Sequence, residues 1–452
     1  MEQSRYLERI LTQQKAAHFL GAALLSVFPQ SRIGRAGSDE SGFFCEFSHS
    51  DPFDPSLLQH VESRLKELLK DNPEMVLHEM VPQSAQGFLI HHGQKEAAAR
   101  LSGETTVQVV QIGEYTNLVE GELEEVNGSL FISLFAFSQE GKTVVLRGVA
   151  FSSRDDLKTF SKNYSKYTET SHEAVAKEMD LYQGTFWHPR GVAMKRVLVD
   201  KWRTFLEAKE IPEVDIPVGS EKDYAEETGR KAFATLHETS DLIVDFSLDK
   251  ARLLFHLQVL SEFSKIFKLE TEWVFFSSGS KKRSRLLKEA LLASDLEWEE
   301  VAGEGEPRLE GWIPDRLGRF WKGPILELKK ESLEMSLLGC LERLIALLLE
   351  RGLPFWLYPE QVRVFPFEGV EAEPLCKKLE ELQIRFSLDE KKAPLAEKMH
   401  RALRVKVPYV IVFGKSEERE NMVSIRTYGS NKVEKMTLQQ MKHLFFERKA
   451  EI

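Results

Sequence analysis

The stretch that most constrains the fold of this chain is PFWLYPEQVRVFP, at residues 354–366. A proline precedes two aromatic residues at its start, Pro359 interrupts it, and Pro366 ends it. Between the last two prolines the residues are β-rich, and proline is excluded from the middle of a strand ladder because it has no N–H to donate. The stretch therefore predicts a short buried strand between two chain breakers.

Downstream of this strand, β-rich and helical patterns alternate to the end of the sequence. The alternation predicts an α/β domain with a mixed sheet. The predicted elements lie at residues 361–367, 371–382, 383–388, 394–404, 408–413, 422–427 and 437–449.

Length and composition indicate a globular protein of about three domains, since the chain has 452 residues and domains average ~150 residues. Its hydrophobic content of 42% and charged content of 29% are ordinary. No run approaches the ~20 apolar residues of a membrane span, so we expect no membrane association. Three widely spaced cysteines exclude a disulfide framework and a CxxC metal site, which favours a cytoplasmic protein.

Charge is unevenly distributed along the chain. The net charge of −10 argues against general coating of nucleic acid. Residues 354–452, however, hold 18 Lys and Arg against 15 Asp and Glu, so this end is mildly basic. A basic end on an acidic body suits the binding of one polyanion at one place, although so small a difference can also arise by chance.

The first ~180 residues have the pattern of an α+β module. Helical spacing over residues 3–28 is followed by a strand at 42–47 and a second helix to about Lys70. Further strands are predicted near 105–112, 129–137 and 142–151, before a polar helix at about 154–181.

Several short motifs occur in an order that resembles the threonyl-tRNA synthetase family of class II aminoacyl-tRNA synthetases. Each motif is weak alone, and the order carries the resemblance. The motifs are AAH (16–18), GFFCEF (42–47), LLQHVESRLKELLK (57–70), RGVAFSSRDDLKTF (147–160), FWHPRG (186–191), GCLERL (339–344) on a predicted helix at 333–350, and VPYVIVFG (407–414).

The resemblance implies a multidomain α+β and α/β fold with three parts. Residues 1–183 would form an editing-like α+β domain with a connecting helix. Residues 184–352 would form a truncated class II core with an antiparallel sheet, and residues 353–452 an α/β anticodon-binding domain. Pro217 matches the proline of class II motif 1 at the subunit interface, which implies a homodimer or a heterodimer with a synthetase; Pro217 can also simply end a strand.

The residues that perform editing in this family are mostly replaced. The family uses an H-x-x-x-H pair on the first helix, and only His18 remains of it, since Gln14 stands at the other position. The family's C-x-x-x-H pair corresponds to Val119 and Leu123, whose side chains cannot transfer a proton. We therefore expect no editing reaction and interpret His18 as a relic.

The aminoacylation site of the family is also incomplete. Fewer than 30 residues separate Pro217 from Ser247, where the family has far more, including motif 2 and a zinc ligand. Glu334 stands at the third zinc-ligand position and His237 lies near the second, so we predict no zinc and no ATP site. Arg343 survives at the motif 3 position, where a salt bridge or cap is the simpler interpretation.

The C-terminal domain retains the family pattern best. Arg426 matches an arginine of the strand that reads anticodon bases, and Tyr428 replaces a second basic residue and could stack on a base. With Arg363 and Lys432, these are the predicted RNA-binding residues, although solvated strand ends explain Arg426 and Lys432 equally well.

Three functions remain open from the sequence. The first is a non-catalytic paralogue that binds tRNA or a tRNA-like RNA through its C-terminal domain. The second is an interaction scaffold that uses the class II dimer surface. The third, a minor one, is a threonine–tRNA ligase of altered activity. A solo trans-editing factor is disfavoured by Val119 and Leu123.

Overall fold

The computed structural model of the protein describes most of the chain. The described residues are 5–101, 106–120, 123, 129–238, 240–277, 279–303, 305–367, 369–430 and 432–450, without the side chains of 168–170 and 450. They divide into two compact units. The first holds the chain up to Ser165 with Glu299–Val301 and Leu317–Trp321, and the second holds the remainder. None of the described helices is both long and apolar enough to cross a bilayer.

The first unit is an α+β arrangement built on a four-stranded antiparallel sheet in the order β1-β2-β7-β6, with a smaller sheet β3-β4-β5. Its elements are α1 (Arg5–Val27), β1 (Ile33–Asp39), β2 (Gly42–Ser48), α2 (Leu57–Asp71), β3 (Met75–Met80), α3 (Pro82–His91), α4 (Lys95–Ala99), β4 (Val107–Ile112), β5 (Tyr115–Leu118), β6 (Phe131–Glu140), β7 (Thr143–Phe151) and the start of α5 (Arg154–Thr170).

Alternation along β2 sets the inner face of this sheet. Phe43, Cys45 and Phe47 point into the core with the apolar side of α1, whereas Glu46 points the other way. Gly148 of β7 lies opposite Phe43, and a Cβ there would come within 2.4 Å of the phenyl ring. The motif GFFCEF is therefore a strand because its period-2 pattern matches a sheet with one covered face.

A seven-stranded sheet, most of which belongs to the second unit, has the order β10-β11-β16-β15-β14-β12-β13. The pairings described for β10-β11, β11-β16, β15-β16 and β12-β14 are antiparallel. The elements up to this sheet's last helix are α6 (His172–Glu178), β8 (Tyr182–Gln183), β9 (Phe186–Trp187), α7 (Pro189–Ala208), α8 (Glu221–Thr228), β10 (Ala232–His237), β11 (Ser240–Asp245), α9 (Lys250–Ile266), β12 (Glu272–Ser277), α10 (Lys281–Leu291), β13 (Trp298–Ala302), β14 (Arg308–Pro314), β15 (Phe320–Leu328), β16 (Leu333–Ser336) and α11 (Leu341–Arg351).

The remainder of the second unit has a five-stranded mixed sheet in the order β18-β17-β19-β20-β21, parallel across β18, β17 and β19 and antiparallel beyond. Its elements are β17 (Val362–Pro366), α12 (Glu373–Glu381), β18 (Phe386–Leu388), α13 (Leu395–Arg404), β19 (Tyr409–Phe413), α14 (Lys415–Glu420), β20 (Met422–Thr427), β21 (Val433–Thr437) and α15 (Leu438–Ala450). The predicted multidomain fold, with its mixed C-terminal sheet, is confirmed.

Asp241 ties three elements of the second unit together. Its buried carboxylate accepts hydrogen bonds from Trp202 Nε1 of α7 (2.9 Å) and Ser336 Oγ of β16 (2.6 Å). It also accepts the backbone N–H groups of Leu337 (2.9 Å) and Leu338 (3.0 Å). The four donors satisfy a carboxylate that would otherwise be costly to bury.

The predicted helix at 333–350 is wrong in nearly its first half, because residues 333–336 form strand β16 and helix α11 begins only at Leu341. Leu333 and Met335 alternate into the core. Gly339 then adopts a φ of +64°, which forms a turn between strand β16 and helix α11, and the helix begins at Leu341. Motif GCLERL therefore straddles a turn and the first turn of a helix.

The predicted helix at 154–181 is likewise divided in two. Ser171 has an extended conformation and its side chain accepts the N–H of Ala174, so it caps a new helix, α6. The single polar pattern concealed this interruption.

Candidate functional site

The hairpin of β20 and β21 brings together three of the predicted RNA-binding residues. Val423 and Ile425 point into the core, whereas Arg426 pairs across the ladder with Val433. Arg426 Nε donates to the backbone oxygen of Ser430 at 3.0 Å, which holds the guanidinium over the turn. Tyr428 is 39% exposed, and Lys432, at the other end of the turn, is exposed as well.

Lys406 joins this group, although the sequence did not single it out as a site residue. Its Nζ lies 3.4 Å from the hydroxyl of Tyr428 and 2.7 Å from the carboxylate of Glu178. Burial alone would lower the pKa of Lys406, but the hydrogen bonds and charges of Glu178 and Tyr428 raise it, so the ammonium stays charged. The hairpin therefore presents a tyrosine ring with a cation at its edge, an arrangement that can stack on an unpaired base.

Arg363 lies in line with Arg426 but is already engaged. The register Arg363–Val410–Arg426 places the two arginines on one face, two strands or ~9.6 Å apart. The guanidinium of Arg363 donates two hydrogen bonds of 2.7 Å to Glu360, whose carboxylate also binds Arg190. Burial would raise the pKa of Glu360, but these donors lower it. The RNA contact of Arg363 thus stays a prediction, and it would require this network to open.

His18 is fully buried in the first unit and lies beside a tyrosine. Its Nδ1 is 3.0 Å from the hydroxyl of Tyr115, and its Nε2 has no partner among the described residues. Burial lowers the pKa of His18 to about 4, so the ring is neutral at physiological pH. Gly21, one turn on, makes room for this contact, because a Cβ there would lie 2.4 Å from the ring of Tyr115.

The other positions that the family uses for editing are buried or bonded to backbone in the first unit. Val119 and Leu123 are buried in the core of the first unit, 8% and 1% exposed. Gln14 donates to the backbone oxygen of Glu120 at 2.9 Å, while its own Oε1 has no partner among the described residues. Gly121 and Glu122 of this loop lie outside the described residues. The described side chains supply no second proton-transferring group in contact with His18 apart from the Tyr115 hydroxyl, whose pKa burial raises well above its usual value.

A basin of about 320 Å³ lies on the outer face of the four-stranded sheet. Two ion pairs line it: Arg35 with Glu120 (2.8 Å) and Arg147 with Asp39 (2.7 Å). Both guanidinium groups also lie near the ring of Phe44, 5.8 and 5.5 Å from its centroid. Because each cation already has a carboxylate partner, neither arginine of the basin is unpaired and ready for an anion. No spacing in the sequence indicates the basin, since its residues come from different strands.

Comparison with known proteins agrees with this arrangement. The anticodon binding domain family matches residues 361–448, which include the hairpin of β20 and β21. The threonine–tRNA ligase of Prochlorococcus marinus is 22% identical, over 94% of this chain and 86% of the ligase. The ligase of Polaromonas naphthalenivorans is 23% identical, over 95% of this chain and 87% of the ligase.

The chain is therefore similar to threonine–tRNA ligases along most of its length, and residues 361–448 match the anticodon binding domain family. The RNA binding domain of threonyl-tRNA synthetase from Cryptosporidium parvum has a similar fold, with a TM-score of 0.52 and 17% identity. The match covers 62% of this chain and 98% of that domain.

Arg343, which stands at the predicted motif 3 position, lines a small cavity. Its guanidinium donates to the backbone oxygen of Lys322 at 3.1 Å. The cavity beside it, lined also by Cys340 and Leu344, measures about 20 Å³. That space holds roughly one water molecule, whereas ligand pockets measure ~300–1,000 Å³. In this conformation the cavity cannot accept a nucleotide.

His237 and Glu334, near the family's zinc-ligand positions, are too far apart to share an ion. Glu334 pairs with Val244, which pairs with Phe233. His237 is therefore two strands across and four residues along, or ~16 Å between backbones from the spacings of a sheet. Burial raises the pKa of Glu334. Within the described ranges, no three His, Cys, Asp or Glu residues form a group that could hold a metal.

Pro217 lies at the exposed end of a segment that runs beside the sheet edge. Ala234 of β10 donates its N–H to Pro212 and accepts that of Val214, both at 2.8 Å, and the segment makes only an isolated bridge there. Val218 follows Pro217 and is 78% exposed. The dimer contact predicted for Pro217 stays a prediction.

Proposed function

We propose that this protein binds tRNA through its C-terminal domain, in the cytoplasm, and catalyses neither aminoacylation nor editing. The observation that carries the proposal is the contrast between two regions. The hairpin with Arg426, Tyr428 and Lys432 lies in the part that matches the anticodon binding domain family. The positions that would do chemistry are buried, apolar or too far apart.

The surroundings of His18 support the loss of editing. Hydrolysis needs a group that can exchange protons near the working pH, and His18, with a pKa of about 4 and no access to solvent, is a poor one. Val119 and Leu123, at the positions of the other pair, are aliphatic and buried in the core of the first unit. A water molecule that attacked an ester beside these described residues would have no base to activate it.

The length of the chain supports the loss of aminoacylation. The match to the P. marinus ligase runs over 550 residues, whereas 94% of 452 residues is about 425, so roughly 125 positions have no counterpart here. The small cavity beside Arg343 adds to this. Lys322, a second cation that lines the cavity, is paired with Glu310, and Arg343 by itself would stabilise a triphosphate weakly without Mg²⁺. We also propose domains at 1–183, 184–352 and 353–452.

Filter binding tests the proposal. The protein is titrated against total tRNA and a threonine-tRNA transcript at low and moderate salt, beside a variant with Arg426→Ala and Lys432→Ala. We expect salt-dependent binding that the variant weakens, because two cations are removed from the interface. The proposal would be contradicted if the wild type and the variant bound every RNA equally weakly.

Threonine-dependent ATP–pyrophosphate exchange tests separately whether the protein lacks aminoacylation activity. The same assay would detect a threonine–tRNA ligase of altered activity. We expect no exchange above a no-enzyme control. A signal that Arg343→Ala abolishes would establish a surviving ligase and overturn this half of the proposal.

A second candidate is an interaction scaffold that uses the class II dimer surface. The strong exposure of Val218, next to Pro217, favours it, because a large apolar side chain in water is suited to a contact with another chain. Strand β10 lies at the edge of its sheet, where the preceding segment forms an isolated bridge to Ala234. Sedimentation of the wild type and a Val218→Asp variant tests it. If the wild type is a dimer and Val218→Asp is a monomer, the result supports a homodimer. If both proteins are monomers, the scaffold would have to bind a protein of a different sequence.

A further inference from the structure

Helix α5 begins with a row of three basic side chains, the basic row Arg154, Lys158 and Lys162. Residues four apart lie on the same side of a helix, and at 1.5 Å per residue the row is ~12 Å long. All three residues are exposed. The row is therefore a regularly spaced line of basic side chains, and the acidic residues Asp155 and Asp156 lie in the same first turn of the helix.

Aromatic packing on the other side of the helix fixes where this row points. Phe160 is buried, and its ring stacks on that of Tyr164 at 5.5 Å. The hydroxyl of Tyr164 donates to the backbone oxygen of Phe135 in β6 at 3.2 Å. Because Phe160 and Tyr164 attach α5 to the sheet, the basic row on the opposite side points to solvent.

The charges of the basic row are available to a partner. Lys158 pairs with Asp155 at 2.8 Å, but both side chains are mostly exposed, and such pairs contribute little. Among the described residues no hydrogen bond or ion pair holds the side chains of Arg154 or Lys162. Residues 1–353 carry a net charge of −13, so the row is a positive line on an acidic body.

We propose that the basic row contacts the phosphate backbone of a double-helical RNA segment. One strand of duplex DNA presents a phosphate every ~3.4 Å along its axis, and with a similar or shorter spacing in RNA a row of ~12 Å passes about four phosphates. Exposed lysines and arginines with no base-reading partner bind by charge, without sequence preference. The inference rests on the proposed function for its biological partner, because a tRNA offers both an unpaired loop and a stem.

The test uses the full chain and an RNA stem-loop that has no anticodon arm. One variant carries Arg154→Glu, Lys158→Glu and Lys162→Glu. The matched control carries Lys66→Glu, Lys70→Glu and Lys95→Glu, which make the same change of net charge at exposed positions of the first unit. Circular dichroism checks the fold of both variants. The salt dependence of binding is measured by filter binding, with polyglutamate as a competitor.

We expect the basic-row variant to bind the stem-loop at least tenfold more weakly than the control. The slope of log affinity against log salt should also fall by about two to three, because each phosphate that the protein neutralises adds ~0.9 to that slope. Equal weakening in both triple variants, or displacement of the RNA by polyglutamate, would overturn the inference.

The two proposals fail separately. If the protein binds tRNA as proposed, but the wild type and the basic-row variant bind the stem-loop equally well, only the inference is overturned. The opposite result is also possible. If the basic-row variant loses stem-loop binding, while the variant with Arg426→Ala and Lys432→Ala binds tRNA as well as the wild type, the inference is supported and the proposed function is overturned.

Discussion

The burial of His18 makes a quantitative prediction about stability against pH. The pKa of this histidine is lowered from 6.5 to about 4 in the folded protein, because burial penalises the charged ring. The unfolded chain therefore binds a proton at a higher pH than the folded chain. Stability from this group is complete above pH 6.5 and falls as the pH decreases toward 4.

The size of the effect follows from the two pKa values. A shift of one unit corresponds to ~1.4 kcal/mol, and the folded state is itself half protonated at pH 4. Between pH 7 and pH 4 the free energy of unfolding should fall by about 3 kcal/mol on account of His18 alone. A His18→Gln variant has no titratable group at position 18, so its free energy of unfolding should fall by about 3 kcal/mol less than that of the wild type between pH 7 and pH 4.

The assay is urea unfolding by circular dichroism, at several pH values between 7 and 4, for the wild type and His18→Gln. Other groups titrate in both proteins, so the difference between the two pH profiles isolates His18. Histidine side-chain NMR of the same pair assigns the His18 signal by its absence in the variant and gives its pKa directly. A pKa near 6.5, or parallel stability profiles, would refute the argument that the ring is sealed from water.

Three further predictions use other parts of the molecule. Asp241→Ala should destabilise the second unit by at least ~3 kcal/mol, since several buried donors lose their acceptor at ~1–3 kcal/mol each; tryptophan fluorescence in urea measures this, and a decrease below about 1 kcal/mol would contradict the role given to Asp241. Gly339→Ala should cost about 1–3 kcal/mol, because its φ is +64° and a Cβ would lie 2.6 Å from the oxygen of Gly323; a calorimetric melting temperature equal to that of the wild type would argue against it. Tyr428→Phe should keep most tRNA affinity and Tyr428→Ala should lose about 1–3 kcal/mol if the ring stacks on a base; equal affinities of the two variants would exclude stacking.

Sequence patterns predicted much of the C-terminal domain because its strands are buried and its helices amphipathic. β17 and β19 fall where alternation and proline place them. Strand β21 was missed, since VEKMT is a polar edge strand with little apolar signal. Helix α14 was missed as well, because six charged and polar residues show no helical periodicity.

The candidate site was predictable only in part, because spacing in sequence does not report partners in space. Arg426 and Tyr428 could be chosen because the resemblance matches their strand to the one that reads anticodon bases, and Lys432 follows closely in sequence. Lys406 precedes strand β19 and is therefore separated in sequence from the hairpin. Glu360 accepts a hydrogen bond from the guanidinium of Arg363, and nothing in the sequence around Glu360 indicates that contact. The neutral state of His18 likewise depends on burial, which no local pattern reveals.

The aliphatic core around His18 also bears on whether chemistry could return to this fold. A cysteine at position 119 and a histidine at position 123 would restore the letters of the motif, but Leu123 is 1% exposed in a packed core. A polar group buried there without partners costs roughly 1–3 kcal/mol, a large part of the ~5–15 kcal/mol that holds a domain folded. Reversion would therefore pass through less stable proteins before any activity appeared. Under the proposed loss of editing, this cost in stability opposes the return of hydrolysis more than the number of substitutions does.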